Sequence, residues 1–380
     1  MRFVVSGYFG FGNTGDEAML AAMVQHLRDV DPDAAIVALS NHPELTMQTH
    51  GIPAIGRTAL RQIIREVAAA DLVISGSGSL LQDVTSFRSL AYYLGLVALA
   101  RLMGTPVFFY SQGVGPLRRA WSRWLVRLVA NGATAITVRD EPSRRLLEAI
   151  GVRRPPVQVT ADPVFGMELS PSVRSGEDML ASEGVPVSAN APLVVVSVRP
   201  WKAGTGWLEA IARAADEAER SLGAAVVFTP FHKPGDVVAS RAVAELMRGR
   251  SYVLKGDYSP QEMMSLIDRA DLVIGMRYHA LVFAAARAKP FVAVSYDPKI
   301  DGLLEMLGEE PGITTASRGE QEVDEEALVR KVTDVWERRD SIREALKAIR
   351  PALAEAAKRA AFLAAETART GRQGSAGVIG

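Results

Sequence analysis

One short sequence occurs twice, and it constrains the fold more than any other feature. Ala70-Asp-Leu-Val-Ile-Ser-Gly76 reappears as Ala270-Asp-Leu-Val-Ile-Gly275. An amphipathic helical pattern precedes each copy. A helix and then an x-Pro-strand unit follow each, at Thr105-Pro106-Val107 and Lys289-Pro290-Phe291. The first strand of each half, near Phe3 and Val194, lies a similar distance upstream. The same order of elements, run twice, predicts two similar doubly wound α/β domains. A chain of 380 residues is too long for one ordinary core, which agrees.

Short runs rich in Val, Ile and Phe mark the strands. In the first half they fit Phe3–Ser6, Ala35–Leu39, Leu72–Ser75, Val107–Tyr110, Ala135–Val138 and Val157–Thr160. In the second half they fit Leu193–Val198, Ala225–Thr229, Tyr252–Leu254, Leu272–Gly275 and Phe291–Ser295. Before the second repeat, Ser259, Pro260 and Glu262 spell an N-cap, a first helical proline and a capping box. The division expected is an N-terminal Rossmann-like domain, 1–168, and a C-terminal one, 190–340. Residues 169–189 read as a linker, and helix 341–370 is expected to complete the first domain. The Ala-, Arg- and Glu-rich tail from Glu325 to Thr370 reads as helix interrupted at Pro351, with 371–380 disordered. Two such domains predict a GT-B-like α/β fold with a ligand cleft between them.

Composition excludes several functions. Lys plus Arg equals Asp plus Glu at 43 each, so the basic excess of a general nucleic-acid binder is missing. There is no cysteine, which removes disulfides and thiolate metal sites. No metal-ligand spacing stands out, and no metal is expected. Met1-Arg-Phe-Val-Val-Ser6 runs straight into a strand and lacks the form of a signal peptide. No apolar run approaches the roughly 18 residues of a membrane span. The expected location is the cytoplasm.

Three glycine-rich loops follow strands of the first half. Gly10-Phe-Gly12-Asn-Thr-Gly15 fits the dinucleotide pattern G-x-G-x-x-G. However, the acid expected about 20 residues further on is displaced: the second strand runs out in Leu39-Ser40-Asn41-His42, with Glu44 only beyond Pro43. Asp16 and Glu17 also open the helix where a pyrophosphate would sit, so the loop suits hydroxyls better. Gly12, Asn13 and Asp16 are therefore candidate sugar ligands; a plain turn with an Asp cap is the structural alternative. Gly76-Ser-Gly78-Ser-Leu-Leu-Gln82-Asp83 and Ser111-Gln112-Gly113-Val-Gly115 add Gly78, Asp83 and Gln112. The Asp83–Arg88 loop adds Arg88.

The second half places cations at strand ends, which line the ligand crevice of an open α/β sheet. Arg277 and His279 follow Leu272–Gly275, and Lys299 follows Phe291–Ser295. Arginine, histidine and lysine together suit a small doubly anionic substrate that also needs a proton. Arg199 and His232 end two further strands and are candidate donor ligands. Arg139, before Asp140, reads equally well as a helix-start ion pair. His26, His42 and His50 read as surface or loop residues.

These residues resemble a known family. Gly7-Tyr-Phe-Gly-Phe-Gly-Asn-Thr-Gly-Asp-Glu-Ala18, Gly76-Ser-Gly-Ser-Leu-Leu-Gln-Asp83, Gln112-Gly-Val-Gly-Pro116, Val138-Arg-Asp140 and Met276-Arg-Tyr-His279 are similar to motifs of the polysaccharide pyruvyl transferases. Within these, the chain most resembles the cell-wall ketal pyruvyltransferases that prepare polysaccharide for S-layer anchoring. The resemblance implies a GT-B fold and transfer of the enolpyruvyl group of phosphoenolpyruvate to two sugar hydroxyls. The products would be a cyclic pyruvate ketal and phosphate. It implies N-acetylmannosamine, ketalised at O4 and O6 in a disaccharide on a lipid diphosphate, as acceptor. It implies His279, Lys299 and Arg139 as the catalytic set and Arg277 as a phosphoenolpyruvate ligand, with no cofactor.

Leu117-Arg-Arg-Ala-Trp-Ser-Arg-Trp-Leu-Val-Arg127 is basic and carries two tryptophans. It reads either as a helix resting on an anionic membrane or as an ordinary amphipathic helix with its arginines in water. The fold also leaves two other functions open: a nucleotide-sugar glycosyltransferase, with Asp301 or Glu305 holding a ribose, and a non-catalytic glycan binder.

Overall fold

The structure, a computed structural model, describes residues 1–76, 78–84, 87–186, 191–201, 204–308 and 323–376. The chain divides into two compact units. Unit 1 holds Met1–Gly12, Asp16–Met167 and the chain from Ala352 on; unit 2 holds Asn13–Gly15 and Glu168–Pro351.

Unit 1 is built on strands β1 (Arg2–Phe9), β2 (Ala35–Ser40), β3 (Ala54–Gly56), β4 (Leu72–Ser75), β5 (Gly78–Leu81), β6 (Val107–Val114), β7 (Ala135–Val138) and β8 (Val157–Val159). Their order is β3-β2-β1-β4-β6-β7-β8, with β5 beside β6. Every pairing is parallel. Helices α1 (Thr14–Val30), α2 (Pro43–His50), α3 (Leu60–Ala69), α4 (Phe87–Leu102), α5 (Ala120–Ala130) and α6 (Glu141–Ala149) connect them.

Unit 2 carries α7 (Gly176–Ser182) and strands β9 (Leu193–Ser197), β10 (Ala225–Phe228), β11 (Ser251–Val253), β12 (Leu272–Gly275) and β13 (Phe291–Ala293). The order is β11-β10-β9-β12-β13, again parallel. Its helices are α8 (Gly206–Leu222), α9 (Gly235–Leu246), α10 (Pro260–Arg269), α11 (Tyr278–Ala286), α12 (Pro298–Leu307) and α13 (Glu325–Glu337). Helix α14 (Arg339–Ala376) closes the described chain.

The duplicated motif occupies the same place in both sheets, beside the first strand. Val73 pairs with Val4 in unit 1, and Val273 with Val195 in unit 2. Its aspartate has the same task twice. Asp71 accepts the Arg2 N–H at 2.7 Å, and Asp271 accepts the Leu193 N–H at 2.9 Å. Each therefore satisfies the backbone donor where the first strand begins. Strand order reverses between β1 and β4, and between β9 and β12. Those reversals are the switch points at which open α/β sheets bind ligands.

Several elements differ from expectation. β3 and β5 are additional strands. β5 begins at Gly78 (φ 104°) and lies in a Gly-Ser run whose composition reads as loop. The stretch read as a linker contains α7, capped by Ser175, which packs on α10 within unit 2; residues 187–189 of that stretch lie outside the described residues. Helix α14 is not interrupted at Pro351. A mid-helix proline removes one hydrogen bond and costs about 3 kcal/mol. Ala360, Ala361, Ala364 and Ala368 offset this by packing into the core of Phe3, Phe108 and Tyr110. The helix also continues to Ala376; residues 377–380 lie outside the described residues.

Candidate functional site

The cations of unit 2 gather at the carboxyl ends of neighbouring strands. Arg199 follows β9 and Arg277 follows β12, the two strands at the switch point. His279 and Lys299 are each the second residue of a helix, α11 and α12, rather than the last of a strand. Asp297 caps α12 by accepting the Lys299 N–H at 3.1 Å, and its other oxygen lies 3.6 Å from Lys299 Nζ. Arg277 is the N-cap residue of α11 with no side-chain cap bond.

Arg277 is held by a carboxylate that sequence reasoning missed. Asp236 in the first turn of α9 is fully buried. It accepts Arg277 Nε at 2.8 Å and pairs with Nη2 through its other oxygen. The same carboxylate accepts the backbone N–H groups of Phe231 (3.1 Å) and His232 (2.9 Å). Asp236 thus fixes the guanidinium and the loop carrying His232 together. The available signal was an acid directly after Pro234-Gly235, a helix-start pattern.

Tyr296 was also missed. Arg199 Nη1 donates to its hydroxyl at 2.8 Å and stacks over its ring at 4.7 Å; Lys299 Nζ lies 5.9 Å from the ring centroid. Burial pushes the Tyr296 phenol up. The charges of Lys299, Arg199 and Arg277 outweigh that, and with the Arg199 hydrogen bond hold it below the ordinary phenol value. Two of these cations have carboxylate partners, Asp236 for Arg277 and Asp297 for Lys299, so the three leave a net positive locus that suits an anion.

The short segment Asn13–Gly15 completes this side of unit 2. Asn13 bridges His232 in antiparallel fashion, and the Thr14 N–H donates to Phe231 O at 2.8 Å. Gly15 lies so close to His279 that a Cβ there would collide with the imidazole. The Asn13 side chain accepts the Gly15 N–H at 3.1 Å, and Glu17 accepts the Gly10 N–H at 2.8 Å. The glycine loop thus spends donors on its own chain. Gly12 is exposed with φ 70°.

In unit 1, Arg139 is 2% exposed. Its guanidinium lies 3.4 Å from both Asp140 and Asp162 and donates to Ser79 Oγ at 3.1 Å. Gln112 is fully buried. It donates to the carbonyls of Gly78 and Gly113 (3.4 Å for the latter) and so shapes the β5 loop instead of facing solvent. Asp16 Oδ1 stands 3.3 Å from where a Gly78 Cβ would be. Arg88 is exposed in the first turn of α4; Ser77, Thr85 and Ser86 of the adjoining loops lie outside the described residues. His42 is exposed, but His26 is 1% exposed and the His50 ring is buried 2.9 Å from Glu17, so neither is a surface residue. Among the described residues no cluster of three His, Asp or Glu side chains is placed to hold a metal ion.

Asp83 works on local structure. It accepts the N–H groups of Arg118 (2.8 Å) and Arg119 (2.9 Å), anchoring the chain that enters α5. Burial raises its carboxyl, but these donors, Ser122 and the Arg119 charge outweigh it and hold the group below its ordinary value. Asp83→Ala is expected to cost about 2 kcal/mol at neutral pH. Because the folded value is the lower one, this contribution is present above the unfolded value of about 3.9. It is lost as pH falls through the folded value. Urea unfolding of both proteins across the acid range checks this: their difference should shrink in acid.

Comparison with known proteins sets these residues in context. Among curated proteins, amylovoran biosynthesis protein AmsJ of Erwinia amylovora is 21% identical over 262 residues, 66% of this chain and 62% of AmsJ. The chain thus spans less than two thirds of that relative's length. A UDP-GlcNAc 2-epimerase of Neisseria meningitidis shares the fold with a TM-score of 0.63 at 13% identity, covering 97% of this chain and 99% of the other. HepE of Anabaena shares it with a TM-score of 0.58 at 17% identity, covering 100% and 99%. These likenesses establish a GT-B-like fold of two Rossmann-like units. The model of the polysaccharide pyruvyl transferases matches residues 13–298, from the first glycine loop through β13 to the start of α12, and the chain belongs to that family.

Proposed function

We propose that the chain transfers the enolpyruvyl group of phosphoenolpyruvate to a sugar, forming a 4,6-ketal and releasing phosphate. The observation that carries this is the cation cluster of unit 2: Arg199 bonds and stacks on Tyr296, Lys299 Nζ lies 5.9 Å from the same ring, and Arg277 follows the neighbouring strand β12. Phosphoenolpyruvate has a carboxylate and a phosphate, and arginines read such groups with paired N–H donors. Arg277 is pre-set by Asp236, so little of its freedom is lost on binding.

His279 then delivers a proton to the methylene carbon. C2 becomes oxocarbenium-like, and the first sugar hydroxyl adds there and loses its proton. The C2–O bond to phosphate breaks next, and the second hydroxyl closes the ring with loss of its proton. One phosphoenolpyruvate and one diol give one ketal and one phosphate. Lys299 stabilises the departing phosphate with charge already in place. Arg139, ringed by Asp140, Asp162 and Ser79, contributes by positioning the β5 and β6 loops. No cofactor enters this scheme.

The acceptor we propose is N-acetylmannosamine of a lipid-diphosphate-linked disaccharide, in cytoplasmic assembly of a secondary cell-wall polysaccharide for S-layer anchoring. The name of AmsJ, amylovoran biosynthesis, supports a biosynthetic setting. Competition separates this from a nucleotide-sugar glycosyltransferase. Phosphoenolpyruvate should bind the free protein and resist displacement by nucleoside diphosphates; binding of the nucleotide alone would overturn the donor assignment.

Helix α5 supports contact with the membrane carrying that lipid. Trp121, Trp124 and Leu128 are 40%, 61% and 53% exposed, at helical spacing on its outer side. Arg118, Arg119, Arg123 and Arg127 are exposed with them, and 117–130 contains no acid. No helix among the described residues is long and apolar enough to cross a membrane. The wild type should float with anionic liposomes, and a Trp121→Ala/Trp124→Ala variant should not. Equal flotation would remove this surface from the proposal.

A further inference from the structure

Unit 1 also holds three aromatic rings around one guanidinium, with a fourth stacked on one of them, a cluster the scheme above leaves unused. Tyr8 and Phe11 stack 4.0 Å apart at 8°. Arg57 Cζ lies 5.1 Å from the Phe11 centroid, 4.1 Å from Tyr92 and 5.8 Å from Tyr93. Tyr92 and Tyr93 meet edge to face at 5.2 Å. Arg57 directly follows β3, and its N–H bonds to Ser40 O at the end of β2 at 2.9 Å. Tyr8 and Phe11 flank the end of β1. The cluster therefore lies on the carboxyl edge of the sheet, the ligand side.

One group in it is costly as it stands. Tyr93 is 2% exposed, and its buried hydroxyl makes no hydrogen bond among the described residues. Burial pushes that phenol up, so it stays a neutral hydroxyl; Arg57 and Asp16 are the charges acting on it. Arg57 is half-buried, and among the described residues no carboxylate forms an ion pair with it. The buried hydroxyl without a partner disfavours the empty arrangement, and Arg57 is balanced by ring faces rather than by a carboxylate, which leaves its charge for an anion. The loop bearing Phe11 is also fixed in advance. Gly10 (φ 74°) packs against Ser40 and His42, and Glu17 ties its N–H to the His50 ring.

We infer that this cluster is a saccharide subsite and that Arg57 reads an anionic group, phosphate or carboxylate, carried by the acceptor. The inference rests on the saccharide acceptor proposed above. The aromatic rings offer faces to the apolar side of a pyranose, much as they pack on other apolar groups. Tyr93 and Asp16 offer one hydroxyl and one carboxylate to sugar hydroxyls. The Arg57 fork matches phosphate or carboxylate in bidentate fashion.

Calorimetry without phosphoenolpyruvate tests it. The probes are neutral N-acetylmannosaminyl-N-acetylglucosamine, its 1-phosphate, and a disaccharide bearing a uronate. The wild type should bind an anionic probe about tenfold or more tighter than the neutral one. Arg57→Gln should abolish that preference and leave neutral binding, and Arg57→Lys should restore part of it. Phe11→Ala should weaken all three probes, by about two- to tenfold. Preference for the 1-phosphate assigns the group as phosphate, and preference for the uronate assigns it as carboxylate. Equal wild-type binding of all three, or Arg57→Gln matching the wild type, overturns the inference. Should Arg57→Gln fail to fold, the wild-type ranking decides. Phosphoenolpyruvate binding is measured on the same sample. Glycan binding without it would overturn only the donor assignment, and the reverse would overturn only this inference.

Discussion

His279→Ala should lower turnover by about a hundred- to ten-thousand-fold, the range for loss of a positioned general acid. Phosphoenolpyruvate binding should change little, because the proposed ligands Arg199, Arg277 and Lys299 stay in place. The ring is fixed in place by its surroundings. It sits on the first turn of α11, whose residues Tyr278 and Ala280 are buried, and the Gly15 backbone lies directly against it. Gly15→Ala should therefore copy much of the effect, since its Cβ would displace the imidazole. Single-turnover assays, with donor affinity measured separately, check both variants. Undiminished turnover in His279→Ala would end the assignment of this residue as the acid.

Asp236→Ala should destabilise the protein by about 3–5 kcal/mol. It leaves Arg277, 14% exposed in its side chain, without its carboxylate. It also leaves the N–H groups of Phe231 and His232 without their acceptor. Asp236→Asn keeps an acceptor for those donors and removes only the charge, so it should cost less and weaken donor binding through a less fixed Arg277. Urea unfolding combined with donor titration separates the two effects. A loss below about 1 kcal/mol in Asp236→Ala would show that the pair is not structural.

Much of the architecture was legible because it rests on periodic, local signals. Each Ala-Asp-Leu-Val-Ile copy is a fully buried parallel strand, and such strands read as continuous apolar runs. The Ser259 capping box forms as its spacing predicts. β5 escaped notice because its glycine and serine carry no strand pattern and its pairing with β6 is non-local. Pro351 misled because a breaker is read locally, while the alanine face beyond it is held by tertiary packing. At the site, Arg199, Arg277, His279 and Lys299 were readable as polar residues after apolar strands. Asp236 and Tyr296 were not, because their meaning lies in contacts 41 and 97 residues away in sequence. Gln112 and Asp83 show the converse. Both are polar residues in glycine loops, and both spend their hydrogen bonds on backbone.

The most direct test of the central claim is phosphate release from phosphoenolpyruvate, with and without a lipid-diphosphate-linked N-acetylmannosaminyl-N-acetylglucosamine, followed by the mass of the saccharide product. Release that depends on the acceptor, with a mass gain matching one pyruvate ketal, is the predicted result. Phosphoenolpyruvate that neither binds nor releases phosphate with any saccharide offered, while a nucleotide sugar is consumed, would contradict it.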